Sequence, residues 1–228
     1  MEEMEVFREL LLWMDPVKRS GPAAMAVDEW LLDTVERPVL RVYRWDGDWA
    51  SIGYFGKIAE ARGLFGEGGL VRRWTGGGMV DHRADWTYSV VAPQSEPLAG
   101  WRGAESYRRL HEALAETLMA EGVLTRLSQG EGETGAALCF ENPVSYDLLG
   151  ADGGKLAGAG QRRSRLGLLH QGSVARGVLD EDASRQRAEN FAGRISATWE
   201  VFRGDPNAAE IADRLGRRYV RDEWLNRR

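Results

Sequence analysis

The stretch V-R-R-W-T-G-G-G-M-V-D-H-R-A-D-W-T-Y-S-V, Val71 to Val90, decides how the rest of the chain is read. Two arginines precede three consecutive glycines; an Asp-His pair follows, then an alternating aromatic and β-branched run. Gly76, Gly77 and Gly78 carry no side chain, so a ligand can approach their backbone closely. They also accept positive φ, and successive N–H groups in such a turn form a concave nest for anions. Arg72 and Arg73 add permanent charge with forked donors suited to carboxylate or phosphate. Trp86 to Val90 reads as a strand, so the glycine loop is expected between strands. Together with His82 downstream, the arginines put binding of an anion or acyl phosphate level with the plain alternative, a glycine hairpin carrying two surface arginines.

Length and charge bound the possibilities. The 228 residues suit one domain with enough core to fold unaided, and an apolar share of 43% is ordinary for a globular protein. A formal charge of −5 argues against nucleic acid as the main partner. Local basic patches such as Arg162, Arg163 and Arg165 remain compatible with it. A single cysteine forms no internal disulfide, which fits a reducing compartment. The acidic start M-E-E-M-E is opposite to a signal peptide's n-region, and the apolar run after it is too short to span a membrane. The expectation is a cytoplasmic enzyme or binding protein, with no membrane partner.

Outward from the glycine stretch, periodicity gives a coarse map. Val6 to Met14 is a strand or a short helix. Ser20-Gly21-Pro22 starts a helix whose Met25, Val27, Trp30, Leu31 and Val35 face a core, with Asp28 and Glu29 solvated on the other side. Val39 to Trp45 and Ala50 to Tyr54 read as a hairpin about Asp46-Gly47. Lys57 to Arg62 makes a helical turn or two, and Leu70 to Trp74 leads as a strand into the glycines. Pro93 to Pro97 marks a surface loop, and Ala104 to Gly122 is the clearest helix, with His111 on its surface. Ser128 to Thr134 is polar and glycine-rich; Ala136 to Phe140 is a short strand containing Cys139. Ser145 to Leu149 and Lys155 to Ala159 flank a Gly150 to Gly154 turn, Leu166 to Ala175 is a further strand, and the rest is charged helix.

Cys139 and Lys155 form a second constellation. A lone cysteine is usually an inert small hydrophobe, and a lone lysine a solvated one. Here the Asp152-Gly153 turn folds the Lys155 strand back on the strand that follows Cys139, which can bring an ammonium near a thiol. A free thiol is only about 3% thiolate at neutral pH, and a neighbouring cation raises that fraction. A thiolate can accept an acyl group as a thioester and pass it to an amine. No Ser-His-Asp arrangement offers a comparable candidate: Gly172-Ser173 lacks the outer glycines of a nucleophile elbow. His82 and His170 lie near the two glycine-rich segments and can contact a ligand or simply hold structure. No His/Cys cluster has metal-ligand spacing.

These residues resemble the lipoate-protein ligase and octanoyltransferase family. The matching pieces are P-A-A-M-A-V-D-E-W-L (Pro22 to Leu31), S-I-G-Y-F (Ser51 to Phe55), R-R-W-T-G-G-G-M-V-D-H (Arg72 to His82), G-K-L-A-G-A-G-Q-R-R (Gly154 to Arg163) and L-L-H-Q-G-S-V (Leu168 to Val174). They cover about the first three-quarters of the chain, in the family's order. The resemblance implies an α+β fold: a mixed, mainly antiparallel sheet flanked by helices, shared with biotin ligases, with residues 1–228 as one catalytic domain. It implies that Arg72, Arg73, Thr75, Gly76, Gly77, Gly78, His82, Gly158, Gln161 and His170 line the acyl or acyl-adenylate site, and that Lys155 meets the reacting carbonyl.

The stretch C-F-E-N-P-V-S-Y-D-L-L (Cys139 to Leu149) resembles octanoyltransferases, which carry a nucleophilic cysteine there. That favours cofactor-free transfer of octanoyl from acyl carrier protein, through Cys139, to a lysine of a lipoyl domain or of the glycine-cleavage H protein. The rival is a lipoate-protein ligase using ATP and Mg, with Cys139 a bystander. A third reading is a non-catalytic acyl- or lipoyl-domain-binding protein. Two features depart from the family pattern: Ala159 stands where a serine is usual, and the accessory domain of many ligases does not follow. Trp74, Met79 and Trp86 are candidates for the wall of an acyl tunnel.

Overall fold

The computed structural model describes residues 5–66, 68–130, 143–175 and 179–227. An eight-stranded sheet in the order β11-β1-β2-β6-β10-β9-β8-β7 forms its centre. The strands are β1 (Leu10–Met14), β2 (Val39–Tyr43), β6 (Asp85–Pro93), β7 (Thr125–Leu127), β8 (Leu148–Gly150), β9 (Lys155–Ser164), β10 (Gly167–Ala175) and β11 (Trp199–Val201). β1 pairs parallel with β2 and β11, and every other pairing in this sheet is antiparallel. The mixed, mainly antiparallel sheet flanked by helices is therefore present.

Alternation along the strands assigns the two faces. Trp86, Tyr88, Val90 and Ala92 of β6 pack with Leu110 and Leu114 of helix α4 (Gly103–Ala120) and Phe191 of helix α5 (Glu181–Ile195). On the other face Val91 and Leu169 pack with Met25, Val27 and Leu31 of helix α1 (Gly21–Thr34). Ile211 of helix α6 (Ala208–Arg214) and Tyr219, at the end of the π-helical turn Leu215–Tyr219, close that layer. A second, three-stranded sheet in the order β4-β3-β5 stands apart from the first. It comprises β3 (Ala50–Ile52), β4 (Leu70–Arg72) and β5 (Val80–Asp81), with helix α2 (Ile58–Phe65) against it.

Several expectations need correction. Val39 to Tyr54 is not a hairpin: β2 joins the large sheet between β1 and β6, whereas β3 pairs with β4 and β5. Asp46-Gly47 is thus a crossing between sheets. Asp28 and Glu29 are not solvated. Asp28 is fully buried because Arg41, also fully buried, reaches it at 2.6 Å, and Arg218 reaches Glu29 at 2.7 Å. His111 lies inside the α4 interface rather than on the surface, its Nδ1 2.6 Å from the Tyr146 carbonyl. The loop expected across Pro93 to Pro97 ends in a one-turn helix, α3 (Pro97–Gly100), which buries Leu98. Within the charged C-terminal part, β11 interrupts the helices and supplies an edge strand. The strand expected over Ala136 to Phe140, with Cys139, lies outside the described residues.

Candidate active site

Four strands bring small residues into one row on the α1 face of the large sheet. Gly158 pairs with Ser173, Ser173 with Thr87, and Thr87 with Tyr43. Three inter-strand steps span about 14 Å. Glycine, serine and threonine leave a shallow trough, which Tyr43 ends. Above it Met25 of α1 and Arg73, Val80 and His82 from the smaller sheet and its turns enclose a cavity of about 20 Å³. That volume holds a water molecule, so an acyl chain has to part the walls on binding.

The glycine turn is the roof, and close backbone approach explains its composition. A Cβ at Gly53 would lie 1.9 Å from the Gly77 carbonyl oxygen, and one at Gly160 would lie 2.3 Å from that of Gly76. Gly77 has φ +94°, a conformation that favours glycine. Arg73 holds the turn from within: Nη2 donates to the Gly76 and Gly78 carbonyls at 3.1 and 3.0 Å, and Nη1 to Ser51 Oγ at 2.5 Å. Thr75 Oγ1 donates to Gln171 Oε1 at 2.7 Å, and Gln171 Nε2 donates to Asp28 Oδ2 at 2.7 Å. The buried Arg41–Asp28 pair is thereby tied to the turn.

His82 lines the cavity between two partners. Its Nε2 is 2.6 Å from Ser51 Oγ, and its Nδ1 is 2.7 Å from Asp85 Oδ2. Arginine cannot accept a hydrogen bond. Ser51 Oγ therefore accepts from Arg73 while pairing with Nε2, and the Asp85 carboxylate, an acceptor only, takes the Nδ1–H. Asp85 also accepts from Ser173 and Thr87. The sequence offered no Ser-His-Asp candidate, yet Ser51, His82 and Asp85 form such a chain. Ser51 is fully buried and already accepts from Arg73, so the chain orients the roof rather than presenting a nucleophile.

Lys155 stands at the β9 end of the trough. A Cβ at Gly158 would meet Lys155 Cε at 2.4 Å and Nζ at 2.6 Å, so the lysine head fills the place of the missing side chain. Nζ is 2.6 Å from Asp147 Oδ2. The other carboxylate oxygen accepts from Tyr107 Oη at 2.5 Å, and that hydroxyl accepts from the Ala159 N–H at 2.9 Å. An ammonium held beside the trough, with Asp147 fixing its position, suits an oxygen that gains negative charge.

The structure separates the remaining sequence candidates. Thr75, Gly76, Gly77, Gly78, Arg73, His82, Gly158 and Lys155 gather at or around the cavity. Arg72 does not: it turns away, donating to the Gly53 and Gly56 carbonyls at 3.0 and 2.8 Å and to those of Leu225 and Arg227 at 2.9 and 3.0 Å. His170 and Gln161 belong to the opposite face of the sheet. His170 is fully buried, bonded to Gln161 at 3.0 Å and Tyr88 at 3.2 Å, and burial holds it far below its usual pKa. Register decides this, since the two residues face each other across β9 and β10 on the α4 side. Trp86 packs on that same side, Met79 sits in the core of the smaller sheet, and Trp74 stacks against Arg162 and Arg218. Met25, Tyr43, Trp45 and Val80 form the apolar wall instead.

Trp45, Ser51, Asp85, Tyr107 and Asp147 escaped the sequence reading. Ser51, inside S-I-G-Y-F, Asp85, three residues after His82, and Asp147, inside C-F-E-N-P-V-S-Y-D-L-L, carried a local signal. Among the described residues no cluster of His, Cys, Asp and Glu is suited to a metal, and no helix is long and apolar enough to cross a membrane.

Comparison with known proteins gives consistent results. The family model described as lipoyl protein ligase A/B catalytic domain matches residues 20–185. The octanoyltransferase LipM of Kyrpidia tusciae is 31% identical over a 265-residue alignment that covers 92% of this chain and 96% of that protein. The octanoyltransferase LipM of Staphylococcus aureus is 34% identical over 178 residues, 69% of this chain; the match spans 63% of that relative's length. Among solved structures, lipoate-protein ligase A bound with ATP superposes with TM-score 0.71 at 20% identity, covering 98% of this chain and 99% of that one. A bi-partite lipoate protein ligase of Thermoplasma acidophilum gives TM-score 0.70 at 18% identity, covering 98% and 97%. At these identities the structures bear on the fold alone.

Proposed function

The chain belongs to the lipoyl protein ligase A/B catalytic domain family, and we propose from that premise that it is an octanoyltransferase of protein lipoylation. The donor is octanoyl carried as a thioester on acyl carrier protein; the acceptor is a lysine of a lipoyl domain or of the glycine-cleavage H protein. No cofactor is needed, because the thioester is already activated. The observation that carries the reading is the lysine head of residue 155, fixed by Asp147 at one end of a trough of small residues. The LipM names of the relatives at 31% and 34% identity support the same activity.

In this scheme the Cys139 thiolate attacks the octanoyl carbonyl. The bond from that carbon to the carrier's sulfur breaks, and the departing thiolate takes a proton. Lys155 N–H groups stabilise the oxygen while it carries charge. The acceptor amine then attacks the enzyme thioester, and the carbon–sulfur bond breaks as an amide forms. The amine's proton passes to solvent in exchange for the one taken by the carrier thiolate, and the Cys139 thiolate returns. Burying the tail contributes about 0.8 kcal/mol per methylene. The reading takes residues 1–228 as one catalytic domain, supported by the large sheet, in which β1 near one end pairs with β11 near the other. It places the protein in the cytoplasm, away from membrane and nucleic acid.

Two reactions run in parallel test it. One contains octanoyl carrier protein and a lipoyl domain without nucleotide; the other contains free octanoate or lipoate with ATP and Mg. Modification of the lipoyl domain in the first supports transfer. Modification confined to the second makes the protein a ligase, and binding without turnover in either makes it a non-catalytic acyl-binding protein.

A further inference from the structure

Trp45 occupies the end of the trough opposite Lys155. Its ring stacks on His82 with centroids 4.2 Å apart and an interplanar angle of 24°, and its Nε1 donates to Thr87 Oγ1 at 2.8 Å. Thr87 in turn donates to Asp85, the carboxylate that holds His82. The indole is thus fixed by both its face and its edge. Beyond it lies a cleft of about 220 Å³, bordered by Arg44, Asp48, Arg83 and Leu179. Trp45 and His82, with Tyr43 and Thr87, border both the inner cavity and this outer cleft. They are the partition between the two.

We propose that the Trp45 indole, braced on His82, is the end wall that sets the longest acyl chain the enzyme accepts. The inference rests on the acyl-transfer reading and adds its specificity determinant. A chain whose carbonyl sits at Lys155 runs along Gly158, Ser173 and Thr87, and its methyl end meets Tyr43 and the indole. The row ends at Tyr43 and the indole. A chain that outreaches it has to displace a ring held by stacking and a hydrogen bond. Removing the indole vacates its volume and opens the trough into the outer cleft, where further methylenes can be accommodated.

The test is competition among octanoyl, decanoyl and dodecanoyl thioesters on the same carrier protein, read by mass spectrometry of the acceptor domain. Native protein, Trp45→Phe and Trp45→Ala are compared, with Trp45→Leu read in place of alanine if circular dichroism shows the alanine variant unfolded. Two further buried methylenes are worth about a tenfold preference. Trp45→Ala is expected to move the decanoyl-to-octanoyl ratio up by about that factor, while Trp45→Phe keeps the native ratio. An unchanged ratio in a folded, active alanine or leucine variant overturns the end-wall assignment and leaves the acyl-transfer reading standing. Failure of the native protein to transfer any of the three chains overturns both.

Discussion

Lys155 Nζ lies 2.6 Å from Asp147 Oδ2, with both side chains withdrawn from solvent. Breaking such a pair from one side leaves an uncompensated buried charge and costs about 3–5 kcal/mol, whereas replacing both partners costs far less. Asp147→Asn is therefore expected to lower stability by a few kcal/mol, and Asp147→Asn with Lys155→Met to recover part of the loss, measured by urea denaturation. The single variant should also lose at least tenfold in kcat with little change in KM, because the lysine head is no longer held beside the reacting carbonyl. A loss confined to KM would mean that the pair only shapes the binding surface.

Two glycines separate a folding role from a functional one. At Gly53 an added methyl meets the Gly77 backbone carbonyl at 1.9 Å, and backbone cannot yield cheaply. At Gly158 it meets the flexible end of Lys155 at 2.4 Å. Gly53→Ala should destabilise the protein by about 1–3 kcal/mol. Gly158→Ala should lose most transfer activity, since the lysine must move, together with part of the few kcal/mol that the Lys155–Asp147 pair holds, whereas Gly53→Ala should leave the lysine in place. Thermal melts and initial rates on both variants check this contrast.

The paired arginines are also expected to differ. Arg72 anchors the carbonyls of Leu225 and Arg227, beyond the start of helix α7 (Asp222–Leu225), whereas Arg73 holds the glycine turn. Arg72→Ala should release the C-terminal segment to limited proteolysis. Arg73→Ala should leave that segment protected and abolish octanoyl binding, as followed by calorimetry.

Stability should decline as the solution becomes acidic. Burial pushes the His111 imidazole down to about 4, below its ordinary value of 6.5, and drives His170 in the same direction. Between those two values the unfolded chain binds a proton that the folded chain refuses, so folding stability rises with pH through the window and is complete above it. For His111 alone the loss between pH 7 and pH 5 is about 2 kcal/mol. Urea denaturation at the two pH values measures it. His111→Asn, which keeps a donor for the Tyr146 carbonyl, should show a correspondingly smaller difference.

Much of this was legible in the sequence, for physical reasons. The helix over Ala104 to Gly122, the strand after the glycines and the Gly150 to Gly154 hairpin are local patterns, and they formed. The glycine turn was found, but only the fold shows that Gly53 and Gly160 are needed because two backbones touch there. Which face a strand residue takes depends on register, and the sequence does not show that His170, Gln161 and Trp86 lie on the face opposite the trough. Buried charges need partners distant in sequence: Asp28 reads as solvated until Arg41, thirteen residues on, is seen to reach it. Tyr107 and Trp45 carried no local signal, because their roles arise from neighbours on other strands and helices.

The central claim is that octanoyl passes through the sulfur of Cys139, and intact-protein mass spectrometry tests it most directly. After brief exposure to octanoyl carrier protein, without ATP and without acceptor, the native chain should gain the mass of one octanoyl group. The adduct should disappear on adding a lipoyl domain and should never form in Cys139→Ser. A native chain that stays unmodified under these conditions while still octanoylating the acceptor, or an adduct that persists in Cys139→Ser, would contradict the account.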